Sequence, residues 1–327
     1  MQLQFPTLQQ YAQAFTKVEI WRDAVDQICR RHGIDASHVR AGLAGTHPTF
    51  VIDGDRPCVL KFFETRIFDG ARSFRVERAI YSRFAASLPL PLPLPQLLAE
   101  GVFEDADDWP YLITTVIKGV SLGEVRAQVD ATDLGALAAI MGETLRQLHQ
   151  LPIADEPFFA EMRRGFDALI RQQQEQCVAK HQKWRSLPDH LVAQIPGYLS
   201  AHADYHDTQK YCLIHADITE DHVLGEFRDG GWQPTGLIDF GDAQVGYWTY
   251  ELTALYFSLF QADQRLLRIF FDAYAPSTPL PSDFVHQAMM ASLLFEFNAF
   301  EAVENQCPRA LTASTLDEMA HLLWDIA

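Results

Sequence analysis

The sequence predicts an α+β chain of two lobes, a smaller one built on an antiparallel sheet and a larger one that is mainly helical. Three observations carry that expectation. The 327 residues are enough to bury two cores. Strand signals cluster between Val39 and Ile117, whereas helical signals dominate beyond Gly119. Strand signals then return once, from Cys212 to Asp239, in the middle of helical sequence. On this basis the chain divides into residues 1–116, with a helical extension at the start, and residues 117–327.

The elements follow in order. The first forty residues read as helical, with Trp21, Val25, Ile28 and Cys29 on one face. Ala41 to Thr46 is a small-residue turn, Thr49 to Asp53 a strand, Gly54-Asp55 a tight turn, and Cys58 to Phe63 the returning strand. A helix over Ala71 to Phe84 carries Phe74, Ile80, Tyr81 and Phe84. Leu88 to Pro95, which alternates Leu and Pro, reads as a stiff connector in preference to a polyproline ligand for a partner. Strands over Leu97 to Phe103 and Tyr111 to Ile117 flank the acidic loop Glu104 to Asp108. Helices are then expected over Leu134 to Leu148 and Phe158 to Lys183, with a last block from Asp283 onward.

Composition narrows the partners. Lys and Arg number 26 against 43 Asp and Glu, a formal charge of −17. So acidic a chain repels phosphate polyanions, which argues against duplex nucleic acid and anionic membrane surfaces and is compatible with cationic small molecules. The opening MQLQFPTLQQ has no basic segment followed by an apolar run, and no stretch approaches the roughly 20 apolar residues of a membrane span. A cytoplasmic protein without nucleic-acid or membrane partners is the expectation. The cysteines, Cys29, Cys58, Cys177, Cys212 and Cys307, are scattered and read as buried, reduced thiols.

The chemistry concentrates in the returning strands. An apolar run, Cys212-Leu213-Ile214, ends in His215-Ala216-Asp217 and leads through a polar loop to His222 and the strand Val223 to Phe227. Arg228 to Gly231 turns the chain, and Thr235 to Ile238 returns to Asp239-Phe240-Gly241-Asp242. In an antiparallel hairpin the residue entering one strand and the residue leaving the other are neighbours, which sets His222 beside Asp239 with Asp217 on the adjoining loop. Such a set suits a divalent metal and a general base; alternatively His222 caps a turn and Asp239 ends a strand. The amino-terminal half adds Lys61 at the end of an apolar strand, where an unpaired ammonium is costly, and Glu77 in the next helix.

In this order, a strand Lys, a helix Glu, His-x-Asp and Asp-Phe-Gly, the chain resembles the aminoglycoside phosphotransferase family of protein-kinase-like phosphotransferases over roughly Arg40 to Leu252. The resemblance implies a kinase-like bilobal fold. It implies that Asp217 is the base toward the acceptor hydroxyl, that Asp239 is the main Mg2+ ligand, and that His222 takes the second metal position, usually Asn. Lys61 would hold the α and β phosphates of ATP or GTP, Glu77 would fix Lys61, and Thr115, Val116 and Ile117 would bind the nucleotide base. The implied function is transfer of the γ-phosphoryl group to an aminoglycoside-like or other antibiotic acceptor, hence antibiotic resistance. Alternatives are a kinase of choline, a sugar or an amino acid, and a degenerate kinase that binds nucleotide without turnover.

Two residues depart from the family pattern. Ala216 replaces a Gly, a mild change where the backbone does not need a positive φ. His222 brings an imidazole, a softer ligand than Mg2+ prefers. The Ala41 to Thr46 turn would cover the phosphates, and His47 beside it reads as solvated. No Ala-Pro-Glu follows Asp242, which disfavours a protein acceptor.

For the acceptor, the expected lining is acidic: Glu220, Asp221 and Asp242, with Glu296, Glu301 and Glu304 on a helix near the end. Glu296 and Glu304, eight residues apart, would share a face with Phe300 and suit an amine-bearing molecule. Glu251 in a Tyr-Glu-Leu segment is read as structural. Trp184, Trp232, Tyr247, Trp248 and Tyr250 are read as packing in preference to stacking on a ligand.

Overall fold

Amphipathic spacing and a matched set of caps decide the first elements. Helix α1 (Leu8–Ala14) starts at Thr7, whose side chain accepts from the Gln10 N–H. Helix α2 (Val18–His32) buries Trp21, Ala24, Val25, Ile28 and Cys29 and stops at Gly33 with φ 66°. Gly33 N–H reaches Arg30 O and Ile34 N–H reaches Cys29 O, so the last carbonyls are satisfied by a Schellman turn. The structure, a computed structural model, describes residues 3–43, 45–84, 89–105, 107–153, 156–276 and 278–326. Ala44 of the small-residue turn, Leu88 of the Leu/Pro run and Ala106 of the acidic loop lie outside the described residues.

The chain divides into two compact units. The first comprises Met1–Pro89, Pro93–Gly119 and Thr235–Asp242; the second comprises Leu90–Leu92, Val120–Pro234 and Ala243–Ala327.

In the first unit, strands β1 (His38–Ala41), β2 (Thr49–Asp53) and β3 (Cys58–Phe62) are followed by helix α3 (Gly70–Arg83) and by β4 (Leu97–Glu104) and β5 (Asp108–Thr115). They form one antiparallel sheet in the order β1-β2-β3-β5-β4. The strand expected to begin at Tyr111 begins at Asp108, because Glu104 and Asp108 already pair across a short hairpin. Alternation along β3 sends Cys58, Leu60 and Phe62 into a core with Trp21, Phe50 and Trp109, which leaves Lys61 on the opposite face. Trp21 anchors that core, 4.9 Å from both Phe62 and Trp109 between ring centres.

The turn from β3 into α3 is held by one buried carboxylate. Glu64 accepts from the N–H groups of Arg66, Ile67 and Phe68 at 2.6–2.9 Å. Gly70 packs so closely that a Cβ there would lie 2.1 Å from Glu64 O.

The second unit begins with β6 (Val120–Ser121), α4 (Leu122–Val125), α5 (Ala131–His149) and the long α6 (Pro157–Trp184). Short helices α7 (Asp189–Val192), α8 (Ile195–Ala201) and α9 (Tyr205–Thr208) precede β7 (Tyr211–Ile214), β8 (Val223–Arg228), β9 (Gly231–Leu237) and β10 (Gln244–Tyr247). Helices α10 (Trp248–Ala254), α11 (Gln264–Tyr274), α12 (Phe284–Leu293), α13 (Glu301–Gln306) and α14 (Leu316–Trp324) complete it. Strand β7 pairs with β10, and β8 lies between β6 and β9. The β8–β9 connection is Asp229-Gly230 with φ 53° and 87°, the two positive values a tight primed hairpin turn requires.

One helix expected near the end is in fact broken. Residues 294–300 separate α12 from α13, so Glu296 and Glu304 share no helical face. The Glu296 N–H donates to the Tyr250 hydroxyl, and Asn298 donates to Ser186 Oγ, which draws this stretch out of the helical hydrogen-bond ladder. In the Leu/Pro run, Leu90, Leu92 and Leu94 are buried. Among the described residues, no helix is long and apolar enough to cross a membrane. Cys29, Cys58, Cys177 and Cys212 are buried free thiols, and Cys307 is half-buried.

Candidate active site

The first unit gathers three of the expected residues around one ammonium. Lys61, on the face of β3 turned away from the core, pairs with Glu77 of α3 and donates to Asp239 Oδ1 at 2.8 Å. Side-chain exposure is 14% for Lys61 and 3% for Glu77, against 38% for Asp239, so the pair is buried and the third member faces outward. Burial pulls the Lys61 ammonium down, but Asp239 and Glu77 together outweigh it and hold it above the usual lysine range. Burial pushes the Glu77 carboxyl up, and Lys61 pulls against it.

Asp239 reaches this cluster because its segment is strapped to the first unit. Leu237 N–H donates to Pro93 O at 3.0 Å, and Thr235 donates to Lys118 O. Gly236 is needed for the close approach, since a Cβ there would lie 2.6 Å from Pro93 O and 2.8 Å from Ile117 Cγ2. Beyond it, Asp239 takes a φ of 65°, a left-handed conformation that Asp tolerates better than most side chains. Phe240 is fully buried, edge-on to Tyr81 of α3 at 6.1 Å, and Arg72 donates to Gly241 O.

The Thr115 N–H at the end of β5 is used by Gln96 O at 2.9 Å, and the Thr115 hydroxyl accepts from the Gln96 N–H. Val116 and Ile117 follow outside the strand, both half-buried. Gly119 then takes a φ of 109°.

His47 corrects an expectation. It is buried rather than solvated: Glu64 N–H donates to its Nδ1, and its ring lies 5.2 Å from Phe63. Burial, with Lys61 nearby, pushes the imidazole down to about 3, so it is neutral at ordinary pH.

In the second unit, the loop between β7 and β8 carries Asp217 and His222. Its first turn is held by Glu251 of α10, which is fully buried and accepts from His215 N–H at 2.6 Å and Ala216 N–H at 2.9 Å. Ala216 has a φ of 69°, so this position does use the left-handed conformation, at a cost of about 1–2 kcal/mol for a residue with a Cβ. The buried His215 Nδ1 accepts from Asp217 N–H at 3.3 Å. His222 Nδ1 lies 2.6 Å from Asp217 O and 3.7 Å from Asp217 Oδ2. A carbonyl only accepts, so Nδ1 carries a proton and donates it.

Sequence reasoning missed what stands behind Glu251. His149, at the end of α5, has Nε2 3.6 Å from Glu251 Oε2, and its Nδ1 lies 2.8 Å from the Tyr274 hydroxyl. The signal available was a His in the last turn of a strongly apolar helix. Of the expected acidic lining, Glu220 is paired with Arg126 at 3.3 Å and accepts from Gln261 at 3.2 Å. Trp232, Tyr247 and Tyr250 are buried, whereas Trp184 and Trp248 are half-buried. Trp232 packs onto Gly225, where a Cβ would lie 2.2 Å from its ring.

Comparison with known proteins gives a family and a fold. The profile of the phosphotransferase enzyme family (APH) matches residues 38–285. The GDP complex of aminoglycoside 2'-phosphotransferase-IIIa is 17% identical, with a TM-score of 0.61 and coverage of 93% of this chain and 97% of that one. The streptomycin-ATP complex of APH(2")-IIa is 16% identical at a TM-score of 0.55, covering 92% and 97%. The Plasmodium vivax ethanolamine kinase Pv091845 is 8% identical at 0.59, covering 99% and 92%. At these identities the likeness is one of fold. A curated relative, the lysine-specific demethylase JMJ21 of Arabidopsis thaliana, is 26% identical over 202 residues, which is 51% of this chain. The aligned part spans only 21% of that relative's length. With a family profile that matches most of its length and a kinase-like fold, the chain belongs to the phosphotransferase enzyme family.

Proposed function

We propose that the protein transfers the γ-phosphoryl group of ATP or GTP to a hydroxyl of a small molecule of the aminoglycoside-like or other antibiotic class. The observation that carries this reading is the buried Lys61 ammonium between Glu77 and Asp239. A charge this enclosed is retained where a polyanion is to be held, and nucleotide phosphates are such a polyanion. Lys61 binds the α and β phosphates, and Glu77 sets its position. Backbone groups of Thr115, Val116 and Ile117 bind the base. The nucleotide complexes of the solved relatives support that part of the reading.

Asp217 orients the acceptor hydroxyl and accepts its proton as the oxygen attacks the γ-phosphorus. The Glu251 clamp fixes the backbone that carries Asp217, so orientation is set before the acceptor arrives. Asp239 would offer a Mg2+ ion a hard carboxylate oxygen. Bound there, the ion would neutralise charge on the phosphate oxygens.

A second reading keeps the reaction and takes a primary metabolite, such as choline, a sugar or an amino acid, as acceptor. The pairing of Glu220 with Arg126 and the break that separates Glu296 from Glu304 favour it, because both reduce the acidic wall a polycationic antibiotic would meet. The test is mass spectrometry of reactions with ATP or GTP and Mg2+ against panels of aminoglycosides, macrolides and metabolites. A phosphate adduct identifies the acceptor. Asp217→Ala and Asp239→Ala should each abolish the adduct in protein that still melts cooperatively, and near-wild-type turnover in either variant would sink the assignment.

A further inference from the structure

Three helices of the second unit, far apart in sequence, bring two imidazoles and a carboxylate to one spot. His202 ends α8, His286 lies in the first turn of α12, and Asp317 lies in the first turn of α14. Their ligand atoms all lie within 4.8 Å of one another. The His202 and His286 rings stack with centres 4.6 Å apart and planes 19° apart. Among the described residues, no hydrogen bond links the three side chains to one another. Tyr198 OH meets His286 Nδ1 at 3.0 Å, but Asp317 Oδ1 stands 3.7 Å from that nitrogen, beyond hydrogen-bond distance.

We propose that His202, His286 and Asp317 bind one divalent transition-metal ion, Zn2+ being the best match, and that the ion ties α8, α12 and α14 together. Two imidazole nitrogens and a carboxylate oxygen are a donor set for Zn2+ and its neighbours in the first transition row, whereas Mg2+ takes oxygen ligands. Ligands on a tetrahedral Zn2+ stand about 3.4 Å apart, so atoms as far as 4.8 Å apart close in by up to about 1.4 Å on binding. Asp317, with 64% of its side chain exposed, and the half-buried His202 have room to do so.

The site is tested by calorimetric titration of Zn2+ into the full chain after treatment with a chelator. One equivalent is expected to bind, and His202→Gln and Asp317→Asn are each expected to weaken it by at least about tenfold. Thermal melts would confirm that the variants fold. His222→Ala is the control and should retain the binding. A flat isotherm, or a loss of less than about tenfold in either variant, overturns the proposal.

Discussion

The two units hold their candidate functional carboxylates by different means. In the first, side chains are fixed by charge: Lys61 lies between Glu77 and Asp239. In the second, backbone is fixed by a charge: Glu251 draws in the N–H groups of His215 and Ala216. An ion pair responds to whatever else carries charge nearby, including an arriving phosphate, whereas a backbone clamp is indifferent to it. The first arrangement is therefore one that a ligand remodels, and the second one that it meets already set.

The comparison breaks most severely at Lys61. Lys61→Met leaves Glu77 as an unpaired buried carboxylate and should cost about 3–5 kcal/mol in urea unfolding, with most of it recovered in a Lys61→Met, Glu77→Gln double variant. Glu251→Gln should cost about 2–3 kcal/mol, since an amide turns a donor toward one of two N–H groups. That variant should lose turnover yet keep the nucleotide-induced rise in melting temperature, and loss of both would erase the distinction between the units.

His47 sharpens the contrast through pH. Its folded value, about 3, lies below the ordinary value of 6.5, so the unfolded chain binds the extra proton between those limits. The stability it contributes is full above pH 6.5 and is lost as pH falls toward 3. His47→Gln should flatten the stability profile there by up to about 1.4 kcal/mol per pH unit. The smallest effect is expected from Ala216→Gly, which relieves the left-handed strain and should raise stability by about 1 kcal/mol without loss of turnover, read from melts and initial rates.

Local patterns made much of this legible. Alternation over Cys58 to Phe62 marks a strand whose Lys61 is the odd member, and the 3.6-residue spacing of Trp21, Val25 and Ile28 marks a helix face. The order of Lys61, Glu77, Asp217 and Asp239 carried the resemblance. Facts that depend on contacts distant in sequence were not legible. Nothing beside His47 announces that Glu64 and Phe63 bury it. The spacing of Glu296 and Glu304 suits a helix, and the contacts with Tyr250 and Ser186, far back in the chain, show why the helix stops. The positive φ of Ala216 was hidden because Ala gives no sign of the conformation Gly would have signalled.

The return of Thr235–Asp242 to the first unit has a consequence for biosynthesis. Lys61 and Glu77 leave the ribosome well before Asp239, which follows Lys61 by 178 residues. A nascent first unit therefore forms with a balanced pair of opposite charges and acquires its second carboxylate only after most of the other unit has been made. No single cut of the gene releases that unit whole, because its outward-facing acid is encoded on the far side of its neighbour.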